Sequence, residues 1–155
     1  MLVISCNDRI VGSIVIANIK RAEPKDAAGL ADLYGKVLNK TGFNACAAPE
    51  KRKELIAWLE SLCRDGKLIF VSDDQGPICL GHYDHEKGEV VAIVTRDDME
   101  RHGYGAAILG EFASSYPTLK LRPVTRGGRA LGQKCGFSPS KEDASVWHRA
   151  PEGHE

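Results

Sequence analysis

Between Glu89 and Gly105 the chain reads Glu-Val-Val-Ala-Ile-Val-Thr-Arg-Asp-Asp-Met-Glu-Arg-His-Gly-Tyr-Gly. No other stretch limits the fold as tightly. A β-branched run closes on a polar turn, and two glycines then open the apolar series Ala106, Ala107, Ile108, Leu109 and Phe112. The pattern predicts a strand, a loop and a helix N-terminus in that order. Such a junction is an anion site in waiting. The first N–H groups of a helix lack intrahelical partners and sit at the positive end of its dipole, and glycines let a phosphate approach them.

The rest of the chain supports one compact domain around that junction. With 155 residues, 43% of them hydrophobic, it is long enough to bury about two thirds of its unfolded surface. Twenty-one basic residues balance twenty-one acidic ones. No long run of like charge occurs, which argues against a general nucleic-acid or membrane-surface binder. The five cysteines, Cys6, Cys46, Cys63, Cys79 and Cys135, are odd in number, widely spaced and never in a Cys-x-x-Cys pair. They suggest neither a disulfide framework nor a zinc ribbon, so a reducing cytoplasm is the expected compartment.

Met1 to Ile19 is rich in Val and Ile but broken by Asn7-Asp8-Arg9 and Gly12. The break excludes an apolar span, and no basic segment marks a signal peptide. Residues 1–18 read as a strand or hairpin extension, residues 19–150 as the main domain and 151–155 as a tail. Within the domain, Ile19 to Ala22 reads as a short strand. Pro24 opens a helix with Ala27, Leu30, Leu33, Tyr34 and Val37 at helical spacing. Asn39 to Ala48 reads as a loop. A second helix from Pro49 carries Leu55, Trp58, Leu59 and Leu62 and stops at Gly66. Three strands follow as an antiparallel meander: Leu68 to Ser72, Pro77 to Asp84 and Glu89 to Thr95. After the helix from Gly103 to about Ser115 come a strand near Leu119 to Val124, a helix near Gly127 to Lys134 and a last strand near Ser145 to Arg149.

This order resembles the GNAT superfamily of acetyl-CoA-dependent N-acetyltransferases over roughly Ile19 to Arg149. Two motifs carry the resemblance. The family's pyrophosphate loop, Gln/Arg-x-x-Gly-x-Gly/Ala, is matched by Glu100-Arg101-His102-Gly103-Tyr104-Gly105, with an acidic residue in the leading place. A second signature, Ala-x-x-Leu-Tyr-x-x-x-Gly-Phe, is matched in frame by Gly128 to Phe137 at Leu131, Gly136 and Phe137. The resemblance implies an α/β fold: a central mixed, mostly antiparallel twisted sheet flanked by helices on both faces. It also implies acetyl-CoA as co-substrate and no metal. Ile93, Val94 and Thr95 would offer main chain to the pantetheine arm, while Arg101, His102, Gly103, Tyr104, Gly105 and Ala106 would wrap the pyrophosphate.

Transfer of an acetyl group to a primary amine needs a base, because an ordinary ammonium keeps its proton up to a pKa of about 10.4. Glu89, fourteen residues before Gly103, stands where histone-type members of the family carry a catalytic glutamate. It is the expected general base. Gly132 stands where many members have the tyrosine that protonates the departing thiolate. A thiol of pKa about 8.5 leaves tolerably without help, so the common mechanism is weakened rather than lost. Tyr83 and Cys135 read as packing more readily than as substitutes.

Asp73, Asp74, Asp84, Glu86 and Glu89 give the meander an acidic bias suited to a cationic amine. His82-Tyr83-Asp84-His85 invites a metal reading, but alternation sends its side chains to opposite faces. Arg126-Gly127-Gly128-Arg129 reads as the basic first turn of a helix capped by Thr125. An alternative from another class is a non-catalytic CoA-binding regulatory or interaction module with a degenerate site. The Val/Ile-rich N-terminal edge also leaves a homodimer open. The sequence does not choose among polyamine, antibiotic, amino acid, peptide N-terminus and lysine as acceptor.

Overall fold

The computed structural model describes residues 18–40, 52–123 and 125–149, with the side chains of 37–40 left aside. The expected N-terminal hairpin, most of the Asn39 to Ala48 loop and the C-terminal tail lie outside the described residues. Strand β1 (Lys20–Arg21) leads through a 3-10 turn at Pro24–Asp26 into helix α1 (Ala27–Lys40), and helix α2 (Arg52–Arg64) follows. The expected loop thus begins later than Asn39. Pro24 starts the turn because its fixed φ suits a helical first position. Beyond α2, Gly66 takes φ +72°, the left-handed conformation that lets a helix end without a Cβ penalty.

The meander comprises β2 (Leu68–Asp73), β3 (Gly76–Asp84) and β4 (Glu89–Thr95). After a 3-10 turn at Asp97–Met99 come helix α3 (Tyr104–Ser115), strand β5 (Lys120–Leu121), helix α4 (Arg126–Lys134), and strands β6 (Phe137–Pro139) and β7 (Trp147–Arg149). The seven strands form one sheet in the order β1-β2-β3-β4-β5-β7-β6. Only β4 and β5 run parallel; every other pair is antiparallel. This is the mixed, mostly antiparallel sheet that the resemblance implies.

Both faces are covered. On one, Leu30, Tyr34, Leu55 and Leu59 of α1 and α2 pack on Leu68, Phe70, Leu80, Ala92 and Val94. On the other, Ile108, Leu109 and Phe112 of α3 pack on Ile78, Cys79, Tyr83 and Val90, joined by Leu119, Phe137 and Trp147. Close approach of α3 depends on Gly81, where a Cβ would stand 2.5 Å from Ile108 Cγ2 and 2.7 Å from Phe112 Cε2. The strand near Leu119 to Val124 shrinks to Lys120–Leu121, and β6 was not expected at all. At three residues ending in proline, β6 has too little alternation to register.

Two irregularities place the site. Between His82 and Tyr83 the β3–β4 register shifts: His82 pairs with Ala92 and Tyr83 with Val90. Val91 is the extra residue of a bulge, so Val91 and Ala92 both meet the α1–α2 face while Val90 and Ile93 meet α3. On its other side β4 pairs with β5 only at Glu89↔Lys120 and Val90↔Leu121. From Val91 to Thr95, β4 has no strand partner on that side among the described residues.

Candidate active site

Where β4 and β5 part, a cleft of about 910 Å³ opens between them and runs to the N-terminus of α3. One wall is the unpaired edge of β4. Strand main chain left open in this way presents N–H and C=O groups that a linear ligand can use as a partner strand would. Ile93, Val94, Thr95, Arg101, Gly103, Gly105 and Ala106 all line the cleft. His102 and Tyr104 do not. The His102 ring bonds through Nδ1 to the Glu100 carbonyl at 2.9 Å, and Tyr104 packs beside the α3 core.

The end of α3 facing the cleft is uncapped by any side chain. Gly103 stands at the N-cap with φ +92° and, having no side chain, offers no cap; its carbonyl takes only the Ala107 N–H, at 3.0 Å. The N–H groups of Tyr104, Gly105 and Ala106 therefore fall among those a helix cannot satisfy itself. In α4, by contrast, Thr125 Oγ1 accepts from Gly128 N at 2.9 Å, the capping role expected of it. The protein's own packing does not demand glycine at 105, because a Cβ there would meet Leu131 Cδ2 at 3.4 Å, an ordinary contact. What the missing side chain leaves is open surface in the cleft beside three unsatisfied donors. Arg101 takes φ +69°, a strained choice for a residue with a Cβ that recurs where loops bind ligands.

The acidic leading residue of the loop has a partner that sequence reasoning missed. Lys36 of α1 donates to the Thr95 carbonyl and lies 3.1 Å from Glu100 Oε2 and 2.5 Å from Asp97 Oδ1. Glu100 thus enters the cleft rim with its charge compensated. The separation of Lys36 from Glu100 in sequence leaves no local signal for the pair.

At the inner end of the cleft stands Glu89, its side chain 13% exposed, accepting from Arg122 Nε through Oε1 at 3.1 Å. Its second oxygen, Oε2, has no hydrogen-bond partner among the described residues. Three of the other acids are engaged locally. Asp73 is held by Arg96, Asp84 accepts from the backbone N–H groups of Glu86 and Lys87, and Glu86 faces Lys67.

Gly132 also lines the cleft, and the place of a side chain there is taken. A Cβ would lie 3.2 Å from Leu121 Cδ1 and 3.3 Å from Trp147 Cε3. Tyr83 is stacked between Phe112 and Tyr116 on the α3 face and does not line the cleft. His82 is buried, accepting from or donating to the Tyr34 hydroxyl at 2.7 Å through Nδ1, with Trp58 edge-on to its ring. Burial, aided by nearby Lys67, lowers its pKa to about 4, so it is neutral near pH 7. Burial likewise pushes the Cys79 thiol up to about 12 and leaves it no nucleophile.

No family model matches the chain, and no curated protein sequence is recognisably similar to it. Solved structures are. An N-acetyltransferase from Staphylococcus aureus Mu50 superposes with a TM-score of 0.63 at 16% identity, over 86% of this chain and 95% of that one. An acetyltransferase of the GNAT family from Bacillus cereus gives 0.64 at 14% identity, over 88% and 98%. A GNAT-superfamily phosphinothricin acetyltransferase from Sinorhizobium meliloti, solved with AcCoA, gives 0.64 at 13% identity, over 86% of each chain. At such identities the likeness is one of fold, and the fold is the GNAT fold.

Proposed function

Starting from a GNAT fold with this cleft, we propose that the protein binds acetyl-CoA along β4 and transfers its acetyl group directly to a primary amine. The observation that carries the reading is the continuity of the cleft, which joins a free strand edge to an uncapped glycine-rich helix N-terminus at one end and to a carboxylate at the other. The donor set fits the ligand. A diphosphate needs several N–H groups at once and no side chain in the way, and Gly103, Gly105 and the first turn of α3 meet both needs, with Arg101 adjoining. Ile93 and Thr95 offer main chain to the amide-bearing arm.

Bound acetyl-CoA supplies an activated acyl group, so that an amide C–N bond forms as the C–S bond breaks. In this reading the part of Glu89 is to take the amine proton on Oε2 while Oε1 keeps its bond to Arg122. The walls of β4 and α4 hold the reacting groups in line, which is worth several kcal/mol of barrier. With Gly132 in place of a hydroxyl donor, the sulfur leaves unassisted as a thiolate, which its ordinary acidity allows, and takes its proton from solvent.

Thermal unfolding with acetyl-CoA, CoA, ATP and NAD in parallel tests the cofactor, since a ligand at a hundred times its Kd adds about 2.7 kcal/mol. Stabilisation by acetyl-CoA and CoA alone is expected. Glu89→Gln is expected to keep that stabilisation and lose turnover at neutral pH, measured as thiol release. An unchanged pH–rate profile would remove Glu89 from the mechanism. The filling of the Gly132 site by Trp147 favours a second reading, a CoA-binding module without catalysis. It requires the same stabilisation with no amine acetylated.

A further inference from the structure

The pair at the inner end of the cleft has more capacity than proton removal uses. Arg122 follows Leu121, the last residue of β5 to pair with β4, and so stands where the two strands part. It touches Glu89 through Nε alone. Its two terminal nitrogens make no hydrogen bond among the described residues, although Asp143 is near enough to feel its charge, and its side chain is 47% exposed against 13% for Glu89. An arginine kept only to neutralise a carboxylate gains most from two parallel bonds through its fork. Here the fork makes no second bond to Glu89, and both residues line the cleft.

The surroundings match this division. Asp143, whose charge interacts with that of Arg122, accepts from the Ser145 amide and hydroxyl, and Asp73, Asp84 and Glu86 of the meander have their own partners. A polyamine would find one half-engaged carboxylate and an arginine that repels it. A group carrying both charges finds a complement for each.

Resting on the acetyltransferase reading above, we propose that the acceptor is a zwitterion of α-amino acid type, its amine directed to Glu89 Oε2 and its carboxylate to the terminal nitrogens of Arg122. The assignment separates free amino acids from peptide N-termini, protein lysines and polyamines, none of which carries a carboxylate beside the reacting amine.

The test measures thiol release from acetyl-CoA with the full chain, using the standard amino acids, their amides and their decarboxylated amines, alongside spermidine. The wild-type protein is expected to favour at least one amino acid over its own amide by on the order of 10- to 100-fold in kcat/KM, the size of a charge-assisted hydrogen bond. Arg122→Gln, which also frees Glu89 Oε1, should lower kcat/KM for the acid by about 10-fold or more beyond its effect on the amide, the excess appearing in KM, so that the preference between the two disappears. Arg122→Lys should recover part of it, and both variants should keep stabilisation by CoA. Equal use of acid and amide by the wild type, preference for spermidine, or an equal loss on both substrates in Arg122→Gln would overturn the proposal. If acetyl-CoA and CoA fail to stabilise the wild-type fold at all, the acetyltransferase reading falls first, on a readout that needs no acceptor.

Discussion

His82 makes the stability of this fold depend on pH in a way that can be worked from its surroundings. The ring is 6% exposed, enclosed by Tyr34, Trp58 and the β4 strand, and its pKa falls from the ordinary 6.5 to about 4, chiefly through burial. As pH drops below 6.5 the unfolded chain takes up a proton that the folded chain refuses. The unfolded state then binds more protons, and the folded state loses relative stability. The stabilising preference for neutral His82 is whole above pH 6.5 and is lost progressively down to pH 4. From those two values the loss between pH 7 and pH 5 is about 2 kcal/mol, and about 3 kcal/mol by pH 4. Urea unfolding of the wild type and of His82→Gln at pH 7, 6 and 5 checks this, with the amide retaining a bond to the Tyr34 hydroxyl. The variant is expected to start lower but to fall less, by about 2 kcal/mol across that interval. The exposed histidines are common to both chains and cancel. Parallel curves, or a His82 ring titrating near 6.5 in the folded protein by NMR, would refute the reasoning.

Three further outcomes are expected. Gly81→Ala should lower stability by about 1–3 kcal/mol, since the new Cβ drives against Ile108 and Phe112 and a packed core has no room to yield; thermal denaturation reads it. Gly132→Tyr should cost a similar ~1–3 kcal/mol against Leu121 and Trp147 without raising turnover, and a faster enzyme with an intact fold would show that the tyrosine acid was wanting after all. Lys36→Met removes the cation that faces Glu100 at the rim of the cleft, so the shift in unfolding temperature given by acetyl-CoA should shrink and Glu100→Gln in the same chain should restore it. A shift unaltered by either substitution would disconnect Lys36 from ligand binding.

Much of the fold could be read locally. The bounds of β4 were predicted as found because a β-branched run ended by Arg96-Asp97-Asp98 is its own signal, and α3 followed from its glycines and apolar series. Pro24, Gly66 and Thr125 marked helix ends by chemistry that acts within a few residues. What escaped was set at a distance. The Val91 bulge depends on how β3 lies against β4, and the brevity of β5 on the chain turning away at Arg122 and Pro123. The partners of Glu89, Glu100 and His82 lie on other elements, and nothing in the neighbouring residues names them. The cleft was therefore legible in the strand and helix N-terminus that bound it and illegible in its compensated charges.

The bulge at Val91 directly follows the last β4–β5 pair at Val90, so a single inserted residue marks where the open edge begins. From Val91 to Thr95 is about 13 Å at the usual strand rise, and that length is built into the covalent chain rather than adjusted by a moving part. The open edge works as a gauge. In the proposed reading, a thiol carrier seated at Gly103 reaches Glu89 only if its arm spans at least that interval, and an acyl thiol on a truncated arm would satisfy one end of the cleft at the expense of the other.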